Sequence, residues 1–195
     1  MHTFLVAGFP RSGLLWLSRL FTVPHHSACI SNGFGQIPGL ELFWAAGENM
    51  CKDMDLEFFG NAATMNLILL PALLARRPLT KVLWVERELR DSMRSAQRAG
   101  FHLDIQLWQR LGQFRIRYAE HFDAQISFGD LGDESAMSAI WTEVLPGVPW
   151  NSKRWEAYRR KRIVCDRSKT AATDLCRLEQ LLRDEAEEIV VPPLW

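Results

Sequence analysis

The sequence predicts an α/β fold built on a central parallel sheet, and three stretches carry that reading. Residues 3–8, "TFLVAG", put apolar side chains on both faces of a strand, as in a sheet covered on both sides, and an apolar helix, "GLLWLSRLF", follows. The pattern recurs at "TKVLWVERELRDSMRSAQRAG", with a short strand at 81–86, a polar turn, and a helix stopped by Gly100. It recurs again at "DAQISFGDL", where a strand at about 124–128 precedes another helix. Strands alternating with helices form parallel units.

The elements between follow from local chemistry. "VPHHSACISNGFGQIPG" is rich in Pro, Gly, Ser and Asn and reads as a connection containing a short strand at Ser27–Ser31. Helical patterns occupy 39–48 and 55–77, the second kinked or split by Pro71, and 103–121. "DESAMSAIWTEVL" is a helix capped by Asp133 or Ser135 and stopped by Pro146–Gly147. "SKRWEAYRRKR" and "TDLCRLEQLLRDEAEE" give two further helical stretches, so 151–195 is expected to be a helical part of the same single domain.

Composition narrows the function classes. With 195 residues, 48% of them hydrophobic, and eight tryptophans, the chain can bury one substantial core. Its formal net charge is zero, so no global field draws it to nucleic acid or to anionic lipid, and any anion site is local. Four scattered cysteines, Cys29, Cys51, Cys165 and Cys176, contain no C-x-x-C pair and read as buried thiols, without metal or disulfides. No charged leader precedes the first strand, and "NAATMNLILLPALLA" is too short and too interrupted to cross a membrane. These features predict a cytoplasmic location.

Ligands of open α/β sheets bind beyond the carboxyl ends of the strands. "GFPRSG" sits there, with Gly8 and Gly13 spaced as in a phosphate-binding loop, whose backbone N–H groups wrap an anion. Arg11 adds a full charge and Ser12 a hydroxyl donor. Nucleotide hydrolases place Lys and then Ser or Thr after the second glycine; Leu14 and Leu15 stand there instead, which disfavours an atypical P-loop kinase.

"GFPRSGLLWL" resembles the first motif of the sulfotransferases, close to "PxxG-x-P-(K/R)-S-G-T-T-W-L", at Gly8, Pro10, Arg11, Ser12, Gly13, Trp16 and Leu17. The resemblance implies a three-layer sandwich of the P-loop nucleotide-binding type and the cofactor 3′-phosphoadenosine-5′-phosphosulfate (PAPS), leaving as PAP. It places the 5′-phosphosulfate on Arg11, Ser12, Gly13 and the backbone of Leu14 and Leu15, makes Arg11 catalytic at the bridging oxygen and the developing leaving-group charge, and sets the adenine on Trp16. "VLWVERELRDSMRS" is similar to the second motif, a strand followed by "R-D-P-R-D-x-x-x-S", with Arg87 and Ser95 in place for the 3′-phosphate and Arg90–Asp91 in register. A bidentate guanidinium at a strand end suits a phosphate on physical grounds as well. Glu88 and Leu89 replace the usual Asp-Pro. "ISFGDL" and "LPGVPW" give a third, weaker match, with Gly129 where Glu is usual.

The departures matter. Leu14 and Leu15 stand where paired threonines donate to the 5′-phosphate. The stretch where relatives place a His or Glu base reads "SACISNG", with only Ser31 and Asn32. Candidates nearby are His25, His26, Glu41 and Glu48, and the base stays unassigned among them. Arg154, Arg159 and Arg162 are either a solvated face or added phosphate ligands. Phe34, Leu40, Phe43, Trp44, Phe58 and Phe59 are either pocket lining or core. Two functions stand: a sulfotransferase acting on a hydroxyl or amine of a small-molecule or carbohydrate-like acceptor, without nucleic acid or membrane partners, or a sulfotransferase-like nucleotide-binding module that has lost catalysis.

Overall fold

The computed structural model describes residues 1–31, 40–101 and 103–160. Its strands are β1 (His2–Gly8), β2 (Ser27–Ser31), β3 (Phe58–Ala62), β4 (Lys81–Glu86) and β5 (Ala124–Ser127). They form one five-stranded sheet in the order β2-β3-β1-β4-β5, and every pairing is parallel. The helices are α1 (Leu14–Leu20), α2 (Leu40–Met54), α3 (Met65–Ile68), α4 (Leu70–Arg76), α5 (Leu89–Arg98), α6 (Ile105–Arg117), α7 (Glu134–Val144) and α8 (Ser152–Arg159).

The two-residue period of the strands divides their side chains between two cores. Leu5 and Ala7 of β1 and Trp84 of β4 enter one, with Phe43 of α2, Leu73 of α4 and Trp108 of α6. Phe4 and Val6 of β1 and Val85 of β4 enter the other, with Leu17 of α1, Trp141 of α7 and Trp155 of α8. Helices therefore cover both faces of an all-parallel sheet, which explains why β1 and β4 read as continuous apolar runs.

The helical expectation for 55–77 is corrected by the structure. Residues 58–62 are strand β3, the neighbour of both β1 and β2, and only then do α3 and α4 follow. The strand was disguised by residues that packing demands. A Cβ on Gly60 would lie 2.2 Å from the Phe4 ring, so nothing larger fits. Asn61 is wholly buried and donates from Nδ2 to Asn66 Oδ1 at 2.6 Å, while Asn66 Nδ2 donates to Val6 O at 2.9 Å and Asn61 O at 2.8 Å. This network ties α3 to two strands, and buried amides are tolerated because they are bonded. Pro71 falls in the first turn of α4, where its missing N–H has no helical acceptor to lose.

Elsewhere pattern and structure agree closely. The short strand at Ser27–Ser31 forms, α5 ends before Gly100 at φ 81°, and Asp133 rather than Ser135 caps α7, its carboxylate accepting from Ala136 N at 2.8 Å. Cys29 and Cys51 are buried free thiols, and desolvation raises the pKa of Cys29 far above the usual value. The helical stretch expected at 173–188, Cys165, Cys176, Phe34 and Arg162 lie outside the described residues. Among the described residues no helix is long and apolar enough to cross a membrane, and no group of His, Cys, Asp and Glu is placed to hold a metal ion.

Candidate functional site

The strand order fixes where a ligand crevice falls. From β1 the chain passes through α1 to β2, on one side of the sheet; from β4 it passes through α5 and α6 to β5, on the other. The connections diverge between β1 and β4, which are adjacent, with Gly8 opposite Val85. Such a divergence opens a crevice at the carboxyl edge. The segment Phe9–Gly13 leaves β1 there, and Arg87 leaves β4 beside it.

The first of these segments is held in an unusual shape. Phe9 anchors it below, edge-on to Trp84 with ring centroids 5.2 Å apart, and Ser12 N donates to Phe9 O at 3.1 Å. Arg11 has φ 72°, a left-handed conformation that carries a steric cost for any residue with a Cβ. Gly13 (φ 81°) precedes α1 in the same region at no such cost. Two donors from the neighbouring unit clamp the turn: Arg87 Nη1 donates to Arg11 O, and Ser92 Oγ of α5 donates to Pro10 O. The Arg87 guanidinium carbon also sits 4.1 Å from the centre of the Phe128 ring, in the turn after β5. Burial lowers the Arg87 pKa below the ordinary guanidinium value; Asp91 opposes the shift, and the positive charges of Arg11 and Arg98 add to it. Arg87 is thus a half-buried cation whose positive neighbours favour an anion.

The remaining residues expected at the site divide into two groups. Arg11 is exposed at the top of the turn, and Leu14 and Leu15 open α1, where first-turn N–H groups have no intrahelical acceptor. Ser95 is half-buried on α5, one turn beyond Ser92, with Arg90 exposed and Arg94 3.7 Å from Asp91. Ser12 is wholly buried, and its Oγ has no hydrogen-bond partner. That hydroxyl is a buried donor left unused by the protein. Trp16 is half-buried with its indole N–H donating to Tyr158 O of α8 at 2.9 Å, in the α1–α8 layer.

The second group lies elsewhere. His25 and His26 immediately precede β2, at the amino edge of the sheet, where His26 O accepts from Glu57 N and Phe58 N at 3.0 Å each. The five residues of β2, at about 3.3 Å each, put roughly 15 Å between them and the carboxyl edge. Glu41 stands in the first turn of α2, exposed and 3.4 Å from Arg76; Glu48, two turns on, pairs with Arg77. Arg154 is partly buried and engaged with backbone carbonyls. Its guanidinium caps the far end of α1, donating to Arg19 O at 2.8 Å, Leu20 O at 3.2 Å and Thr22 O. Arg159 pairs with Glu156 at 2.8 Å. Phe43, Trp44, Phe58 and Phe59 are core.

Ser92 and Phe128 escaped the sequence reading. Ser92 lies three residues before Ser95, a spacing that puts both on one side of a helix. Phe128 sits inside "ISFGDL", but nothing local reveals that a turn after β5 meets Arg87. No protein-family model matches this chain, and no curated protein sequence matches it. Chemically, the cluster offers a strained, clamped turn and two guanidinium groups from adjacent strand ends.

Proposed function

We propose that the crevice between the turns after β1 and β4 binds a 3′-phosphorylated adenine nucleotide of the PAPS/PAP class, making the chain a P-loop-type, sulfotransferase-like nucleotide-binding domain. One observation carries this reading: Arg87 reaches from its own strand end to the backbone of Arg11, so two cationic segments distant in sequence meet at the carboxyl edge of the sheet. A ligand with anionic groups at both ends suits that pairing better than a single phosphate. The turn at 10–15 and the Arg11 guanidinium would hold the 5′ end, and Arg87 with Ser95 the 3′-phosphate. Leu14 and Leu15 withdraw two hydroxyl donors, each worth roughly 1.5–3 kcal/mol toward a charged group, so affinity is expected to be modest.

Bound PAPS would supply a transferable sulfuryl group, and the residues must then provide a proton acceptor for the attacking hydroxyl or amine. The amino-edge position of His25 and His26 favours a binding module over an enzyme. Sulfuryl transfer is the second reading. It rests on Arg11, exposed where leaving-group charge would develop.

A thermal-shift titration tests the proposal. PAP should stabilise the protein at lower concentration than ATP, because only PAP carries the 3′-phosphate. An equal response to the two nucleotides would sink it. Transfer from radiolabelled PAPS to a mixed panel of hydroxyl and amine acceptors then separates enzyme from module.

A further inference from the structure

Phe128 leaves the third strand end of the same edge, just beyond β5. Its backbone N–H donates to Glu86 O at 2.7 Å, tying the turn to the residue before Arg87. Its ring lies 4.1 Å from the Arg87 guanidinium carbon and so close to Gly13 that a Cβ there would come within 3.5 Å of it. It remains 37% exposed, so burial alone does not explain a large apolar ring at this position. The three turns after β1, β4 and β5 therefore meet at one guanidinium. Glu86 does not compete for it: its Oε2 accepts from Trp84 Nε1 at 2.6 Å and from Arg115 Nη2 at 2.7 Å.

We propose that Phe128 is a positioning residue for Arg87: its ring face fixes the guanidinium plane, so that Nη1 donates to Arg11 O while other N–H donors are left for an anion. This rests on the nucleotide reading above. The physical basis is the attraction of a cation to the negative face of an aromatic ring, together with the rotamer freedom a long side chain no longer has to lose on binding. Leucine in place of the ring keeps apolar bulk and loses the attraction; tryptophan strengthens it.

The experiment follows the Arg87 Nε–Hε signal by NMR in the full chain, identified by its disappearance in R87K, alongside PAP affinity by calorimetry. In the native protein the signal should be displaced upfield by the ring. F128L should return it toward the ordinary position and weaken PAP binding roughly three- to tenfold, while F128W restores both. An Arg87 signal unmoved by F128L would overturn the proposal. So would a moved signal with unchanged PAP affinity. If the native protein fails to bind PAP, the nucleotide reading falls, and the Arg87 signal alone decides whether Phe128 fixes the guanidinium.

Discussion

Arg11 and His25 both adopt the left-handed backbone region, at φ 72° and φ 64°, on opposite edges of the sheet, and they are supported in different ways. His25 is held mainly by backbone bonds: Val23 N donates to Ser27 O at 2.9 Å, Ser27 N to Val23 O at 2.9 Å and His26 N to Val23 O at 3.1 Å, while His26 O accepts from Glu57 N and Phe58 N. Arg11 has one local bond across it, Ser12 N to Phe9 O at 3.1 Å, and two side chains hold its turn from afar. The bond from Arg87 spans 76 positions, and that from Ser92 to the adjacent carbonyl spans 82. A costly conformation secured by backbone bonds is the geometry of a turn leading into a sheet. One secured also by side chains from the next strand end and the helix after it couples two segments at the carboxyl edge, where strain commonly accompanies binding.

The largest effect is expected where that coupling is cut. Arg87→Ala removes the donor to Arg11 O and the cation assigned to the 3′-phosphate together. PAP affinity should fall by about 10- to 100-fold, the equivalent of losing one hydrogen bond to a charged group, and the preference for PAP over ATP should vanish. Arg87→Lys should recover only part of it, since an ammonium cannot present a planar fork of donors while lying flat on Phe128. Retention of the nucleotide preference in Arg87→Ala would mean that the crevice does not read the 3′-phosphate through this residue.

Ser92→Ala comes next. Ser92 is wholly buried, and losing its hydroxyl deprives Pro10 O of a donor. Urea unfolding should show a loss of about 1–2 kcal/mol, with a smaller loss of PAP affinity than Arg87→Ala gives, because the turn is loosened without loss of charge. Unchanged unfolding and unchanged affinity together would show that the clamp from α5 contributes nothing.

A paired substitution sharpens the contrast further. Glycine removes the left-handed penalty, about 1–2 kcal/mol, and gives back about 0.4–1 kcal/mol through a freer unfolded chain. Arg11→Gly and His25→Gly should therefore each stabilise the protein by roughly 0.5–1 kcal/mol in thermal unfolding. Their effects on PAP affinity should diverge: a clear loss for Arg11→Gly, none for His25→Gly. Parallel behaviour of the two variants in the titration would erase the distinction between the turns.

How much of this was legible depends on where each residue finds its partners. β1 and β4 declared themselves because a buried parallel strand is apolar on both faces, and the segments that follow them stood out as two charged turns at strand ends. β3 stayed hidden because its centre answers to remote demands: Gly60 yields to Phe4, and Asn61 serves Asn66 on the next helix. Ser92 and Phe128 are ordinary letters whose roles exist only across the sheet. The position of the two histidines was written more plainly. A segment that immediately precedes a strand opens on the amino edge of a parallel sheet, so the expected strand at Ser27–Ser31 already set His25 and His26 on the side away from "GFPRSG".

That rule yields the smallest expected effect. His25→Asn keeps a residue tolerant of the left-handed region, and His26→Gln keeps a polar side chain of similar length, so neither should disturb the turn by more than a few tenths of a kcal/mol. With some 15 Å of strand between them and the carboxyl edge, neither should alter PAP affinity, nor labelled transfer if the chain proves to be an enzyme. Should the double variant abolish transfer while PAP still binds, an imidazole would be acting on the acceptor. The reacting centre would then belong at the amino edge, and the contrast between the two turns would have to be reversed.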